Sequence, residues 1–388
     1  MATFHIDPEN KTGSAINSAG GGSISSPYVD LDYAVQDINS GGVHSKGSTG
    51  DVFKMIGVYA PDNTKAANLT TQLVAYGNGA KIVGDGANGF GTSSPTSMAT
   101  MSQANCTTPI INSISWHYGT IASFKFTNFR DSTYAISAGQ RLNFIGNHCD
   151  TSAISGAGSQ ARIVAGRNAW RAIGNYVKAR AATGILFQPY TSHVVGYNYA
   201  DIDDGNTAKA VSLQLSSTNS GNHFIGNIVY VGGAAQAFRS NSDFIALGNL
   251  IVGTSGNGTG IVFGNSGGHA VICGNHFENL YQAFGALSNG STTSGYITST
   301  DNTYHNVTYV DTPNPDFTRT WNASGCIIAR NTNLARSGVV NAATGDLRTS
   351  SSRLGKNILN ALDLQTAWEN KMSSGVNINN PTQYSPFG

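Results

Sequence analysis

The sequence predicts an all-β chain folded as a right-handed parallel β-helix solenoid with an N-terminal capping helix. Two observations lead there. The first is a recurrent asparagine, usually preceded by glycine, inside short apolar stretches: Gly146-Asn147, Gly174-Asn175, Tyr197-Asn198, Gly226-Asn227, Gly248-Asn249, Gly274-Asn275 and Asp301-Asn302. Successive asparagines lie 28, 23, 29, 22, 26 and 27 residues apart, and Asn331 follows 29 later. A fixed period of this length marks a coil-by-coil repeat. Glycine and asparagine tolerate left-handed backbone angles, so the pair marks one sharp bend per coil. The second observation is composition. The 388 residues include 47 glycines and only 11% charged side chains, which suits rungs that bury a few aliphatic residues and spend the rest on turns.

Residues 1–27 are rich in glycine and serine and lack periodicity, so they read as an extended arm. From Tyr28 the run to Ile38 places Leu31, Ala34, Val35 and Ile38 at helical spacing with Asp30 positioned to cap. A single amphipathic helix ahead of a β repeat covers the first rung, which otherwise exposes apolar residues and an unpaired strand edge. Gly50 to Tyr59 is then the first strand. The solenoid is expected over 28–360, and 361–388 forms a C-terminal cap and extended tail, with a short helix around 356–370 and a polar stretch from Ser373 carrying Pro381, Tyr384, Pro386 and Phe387.

The run from Ser26-Pro27-Tyr28 through the helix to Gly50-Asp51 and Gly57-Val58-Tyr59 resembles the opening of right-handed parallel β-helix proteins of the pectate-lyase-like superfamily. Gly345-Asp346-Leu347-Arg348 to Ser352-Arg353-Leu354-Gly355 is similar to the closing segment of that group. The asparagine bends resemble its asparagine ladders. The resemblance implies the fold and leaves the activity open, because the fold carries lyases, hydrolases, esterases and structural virion proteins.

Aligning coils on the asparagine gives an apolar column two residues later (Cys149, Val177, Ala200, Val229, Ile251, Phe277, Tyr304), expected to face inward. Strand side chains alternate, so the next position faces out and holds Asp150, Lys178, Asp201, Tyr230, Val252, Glu278 and His305. Asp150, Lys178 and Asp201 then form an acid-base-acid ladder, with Asp203 and Asp204 beyond it. Residues 151–200 carry Arg162, Arg167, Arg171, Lys178 and Arg180 and no acid. In the lyases of the superfamily, carboxylates hold Ca²⁺ against a sugar acid while Arg or Lys removes a proton. Paired carboxylates can instead hydrolyse a glycosidic bond. The same column has a plain structural use, since opposite charges on adjacent rungs fix registry for about 0.2–1 kcal/mol a pair. Asp203-Asp204-Gly205-Asn206 reads as a turn before a metal site. His148, His193, His223 and His276 read as solvent-facing turn residues, and Trp116-His117-Tyr118 and Trp170 as rung caps or subunit contacts. Cys106, Cys149, Cys273 and Cys326 show no metal spacing and read as free thiols.

A net charge of +1 provides no field for nucleic acid, and no apolar run is long enough for a bilayer. Met1-Ala2-Thr3-Phe4-His5 lacks the pattern of a secretory signal. The expected function is a structural bacteriophage virion protein, a head decoration or spike made in the host cytoplasm. Its expected partners are sister chains in a trimer and capsid or other virion proteins, with no cofactor. The alternative is a polysaccharide lyase or glycoside hydrolase acting on bacterial surface or acidic polysaccharide, as in a tailspike; host polysaccharide is then the partner and Ca²⁺ enters only there. On the virion reading the unpatterned ends, residues 1–27 with Phe4 and Ile6 and residues 373–388 with Tyr384 and Phe387, are expected attachment segments.

Overall fold

The structure is a computed structural model that describes strands and their flanking turns between residues 2 and 349. Residues 17–20, 35–50, 63–79, 114–118, 130–133, 151–161, 167–170, 180–183, 189–193, 204–210, 216–221, 264–268, 287–295, 311–326, 334–338, 342–345 and 350–388 are the stretches of four or more residues outside that description. The described strands pair in parallel, apart from an antiparallel pair formed by Val339–Asn341 and Asp346–Thr349. The fold is therefore an all-β parallel solenoid. Two compact units are present, and among the described residues the first runs up to Tyr176 and the second from Val177.

In the first unit, one sheet runs Thr3–Ile6, Val52–Ile56, Lys81–Gly86, Thr120–Ala122, Asn143–Ile145, Arg171–Ile173. A second sheet runs Val58–Tyr59, Ala99–Ser102, Phe124–Thr127, His148–Asp150, and a third Ile111–Ser113, Tyr134–Ala138, Arg162–Gly166. The second unit repeats the plan. Its first sheet runs Val194–Gly196, Asn222–Ile225, Phe244–Leu247, His269–Cys273, Tyr296–Thr300, Ile327–Ala329. Its second sheet runs Tyr199–Asp203, Ile228–Gly232, Leu250–Gly253, His276–Glu278, Thr303–His305, Thr332–Asn333. The third is Gly184–Ile185, Val211–Leu215, Gln236–Ser240, Thr259–Phe263, Gln282–Ala286.

The asparagines stand in stacks at the bend between the first and second sheets. Within the second unit Asn198 donates from backbone and side chain to Asn227 Oδ1, Asn227 to Asn249, Asn249 to Asn275, Asn275 to Asn302 and Asn302 to Asn331, all between 2.8 and 3.1 Å. Asn147 and Asn175 are joined in the same way in the first unit. The left-handed angle belongs to the residue before the asparagine, with φ of 58, 63, 54, 60, 59, 65 and 57° at Gly146, Gly174, Tyr197, Gly226, Gly248, Gly274 and Asp301. Glycine adopts this angle without a Cβ penalty, which explains its frequency there.

Two of these glycines separate backbone strain from steric strain. A Cβ at Gly226 would lie 2.8 Å from the Tyr197 ring, whereas a Cβ at Gly248 meets nothing within 4 Å. Gly248→Ala is expected to cost about 1–2 kcal/mol for the angle alone, and Gly226→Ala visibly more. Urea unfolding of the two variants side by side checks this.

The N-terminal end departs from the sequence expectation. Thr3–Ile6 is no free arm but a strand of the first sheet, paired with Val52–Ile56, with Phe4 and Ile6 buried. Its alternation Thr-Phe-His-Ile has the strand period, hidden by the glycine- and serine-rich sequence after it. The other side of the strand is covered by the chain from Gly22 to Tyr28: His5 N–H donates to Gly22 O, Tyr28 N–H to His5 O and Asp7 N–H to Tyr28 O. Asp30 opens a helical turn, accepting from Tyr33 N–H through its side chain and from Ala34 N–H through its carbonyl. The remainder of the helix expected over 29–39, and the C-terminal cap and tail over 361–388, lie outside the described residues.

Candidate functional site

The second sheet of the second unit carries the column on which sequence analysis placed its chemistry, and register follows that alignment. Asp201 pairs with Tyr230, Tyr230 with Val252, Val252 with Glu278 and Glu278 with His305. The preceding residues Ala200, Val229, Ile251, Phe277 and Tyr304 are buried as the inward column. Phe277 and Tyr304 stack at 5.4 Å across one rung step.

Exposure of the outer column does not follow the expectation. Asp150, Lys178, Asp201 and His305 are half-buried, but Tyr230, Val252 and Glu278 are buried. The cause is the composition of the face: Ile228 and Leu250 stand beside Tyr230 and Val252 and are buried with them. Apolar residues on the outer side of a strand form a second hydrophobic layer and are covered like the first. Asp150 lies in the first unit, on His148–Asp150; Lys178 and Asp201 lie in the second. Asp203 ends its strand opposite Gly232, Asp204 lies outside the described residues, and so do Trp116, His117, Tyr118, Trp170 and His193.

One polar constellation in that covered layer escaped the sequence reading, which set His276 in a solvent-facing turn. His276 is fully buried within a strand. Its Nε2 is 3.0 Å from Glu278 Oε2, and its Nδ1 is 2.9 Å from Thr303 Oγ1 on the next rung. With Nε2–H donating to the carboxylate, Nδ1 accepts the threonine hydroxyl proton, so both ring nitrogens are satisfied. Hydroxyl, imidazole and carboxylate in sequence resemble a nucleophile relay. Here all three are buried, at 3% exposure or less, so the chain of bonds ties one rung to the next. The available signal was His276-Phe277-Glu278 itself, two polar residues flanking an inward aromatic, opposite Thr303.

The free thiols of Cys106 and Cys149 are buried, and Cys273 is half-buried. Burial pushes the Cys149 thiol well above its usual value, and the neighbouring Asp150 charge adds to the rise. Because the folded value is raised, this stability contribution is complete below the unfolded thiol value of about 8.5 and is lost as pH climbs from there through the folded value. Native protein at pH 8 is expected to leave Cys149 unalkylated while unfolded protein reacts fully, as mass spectrometry of the labelled peptide reports. Among the described residues no group of three His, Cys, Asp or Glu converges to hold a metal ion.

The segment from Gly84 to Gly89, glycine-rich enough to suggest a phosphate cradle, is the end of the strand Lys81–Gly86 followed by a bend. Asp85 Oδ2 accepts from Gly91 N–H at 2.9 Å and faces Lys54 Nζ at 3.5 Å. Gly84 is required by a close approach, since a Cβ there would sit 2.1 Å from the Ser123 carbonyl oxygen.

The class defined by this architecture is the all-β parallel β-solenoid. No protein-family model matches the chain, and no curated protein matches its sequence. Among solved structures, a rhamnogalacturonan lyase aligns over 93% of this chain and 96% of that one, with 12% identity and a TM-score of 0.44. Likeness at that distance assigns neither activity nor residues.

Proposed function

We propose that this chain is a structural component of a bacteriophage particle, a stiff β-solenoid that decorates the head or forms a spike, and that it acts as a homotrimer seated on other virion proteins. The observation that carries the structural reading is the commitment of buried polar side chains to rung-to-rung bonds. Asparagines from Asn198 to Asn331 spend their amides on one another and on strand carbonyls, and His276, Glu278 and Thr303 lock a further pair of rungs. Satisfied polar stacks rigidify a core and specify one register, as a shaft requires. The placement in a phage particle is supported by the low charge, the glycine- and serine-rich composition and the polar tail with its anchors Tyr384 and Phe387. Such tails gain order against partner surface, since fixing a residue costs about 1–2 kcal/mol.

Two measurements test this reading. Peptide mass spectrometry of purified particles should detect the chain in a stoichiometry that is a multiple of three. Purified protein incubated with acidic and bacterial surface polysaccharides should release no oligosaccharide. Release that disappears in Asp201→Ala would replace the structural reading with a polysaccharide lyase or glycoside hydrolase.

A further inference from the structure

The outer faces of the first two sheets of the second unit differ in cover. On the second sheet the apolar residues that point outward, Tyr230 and Val252, are buried. On the first sheet they remain open to water. Its inward residues Val195, Phe224, Ala246, Ile272 and Ser299 are buried, and alternation turns the residue on either side of each one outward. Register stacks these outward residues in two columns over five rungs, one from Val194 through Ile245 and Val271 to Thr298, the other from Gly196 through Leu247 and Cys273 to Thr300. Leu247 is 36% exposed, and Val194, Ile225, Ile245, Val271 and Cys273 are half-buried. The bends beside the second column are open as well, since a Cβ on Gly248 or Gly274 meets nothing within 4 Å.

Nothing in the fold demands an apolar face at this place. In the first unit the column at the same distance from the asparagine bend runs Lys81, Thr120, Asn143, Arg171, the polar composition that suits a face left to water. In the second unit neither column holds Asp, Glu, Lys or Arg between Val194 and Thr300. The carboxylate at its border, Asp243, is engaged through Oδ1 by His269 N–H. A contiguous apolar patch with a polar rim marks a surface that another protein covers.

We propose that this face is where two copies of the chain meet, each laying the outer side of its first sheet against the other's. The proposal rests on the self-association put forward above and assigns it a surface. A second copy fits because it offers the same uncharged, flat sheet, so closing the contact strips water from no ionised side chain, and the net charge of +1 gives the chains little mutual repulsion. The size is sufficient. Five strands about 4.8 Å apart, with the bordering residues, give a face of roughly 24 Å by 20 Å, and two such faces bury about 1,000 Å², the least that a specific interface needs.

Sedimentation of the full chain tests this. The wild type is expected to form a species of at least two 40.5 kDa chains. Leu247→Lys/Val271→Lys should sediment as a monomer with its thermal midpoint kept, because both side chains lie outside the core. Val58→Lys, equally exposed on the first strand of the second sheet in the first unit, should assemble like the wild type. Cys273 reports on the same face without any substitution: its alkylation should be about tenfold slower in the assembled chain at about 100 μM than in the dissociated chain at about 1 μM. Assembly that survives Leu247→Lys/Val271→Lys, or Cys273 labelling that ignores concentration, overturns the assignment of this face and leaves self-association standing. A wild type that stays monomeric at about 100 μM overturns both.

Discussion

Asn249→Ala is expected to destabilise the protein by about 3–5 kcal/mol, one of the largest single losses available in this chain. The Asn249 side chain uses both ends. Its Oδ1 accepts from Asn227 N–H at 2.9 Å and Asn227 Nδ2 at 2.8 Å, while its Nδ2 donates to Phe224 O at 2.9 Å and Asn275 Oδ1 at 2.8 Å. Asn249 is fully buried, so no water enters to replace these bonds. Truncation strands the Asn227 backbone N–H and removes a partner from each neighbouring amide, and each orphaned buried group costs about 1–3 kcal/mol. Asn306 provides the control, because its Nδ2 bonds Asn279 Oδ1 at 2.8 Å on the exposed surface. Asn306→Ala should cost no more than about 1–2 kcal/mol, most of it from the left-handed angle of 50° that asparagine tolerates better than alanine. Chemical denaturation of both variants checks the contrast; similar losses would show that the buried stack has no special weight.

The second large effect concerns the buried His276–Glu278 pair. Glu278→Ala removes the carboxylate 3.0 Å from His276 Nε2 and leaves the ring buried with one nitrogen unsatisfied. The expected loss is about 1–3 kcal/mol, the cost of leaving a buried imidazole N–H without an acceptor. Replacing both partners with apolar residues behaves differently, because desolvation of two polar groups is removed together. In register, the preceding rung carries Leu250 opposite His276 and Val252 opposite Glu278. The double variant His276→Leu/Glu278→Val copies that rung and should regain most of the lost stability, short of the Thr303 bond. A double variant no more stable than Glu278→Ala would mean that the constellation is more than a lock between rungs, and would reopen a role for its imidazole.

How much of this was legible in the sequence follows from which signals are local. The asparagine column was readable because its period, its glycine neighbour and its chemistry recur in every coil, and register from Asp201 to His305 follows from alignment on it. Facing was only half readable. Alternation assigns a side of the strand, but whether that side meets water depends on what else packs there, so Tyr230, Val252 and Glu278 were expected outside and are buried. The strand at Thr3–Ile6 went unread because four alternating residues carry little weight beside a run of glycine and serine.

The central claim, that stacked buried amides hold the rungs together, is tested most directly by hydrogen exchange at asparagine side chains. In a sample with isotope-labelled asparagine, the Nδ2 protons of Asn227, Asn249, Asn275 and Asn302 should exchange as slowly as the strand backbone amides beside them. Those of the exposed Asn306 should exchange far faster. Ladder amides that exchange as fast as Asn306 would contradict the account, because they would open to water without the rungs separating.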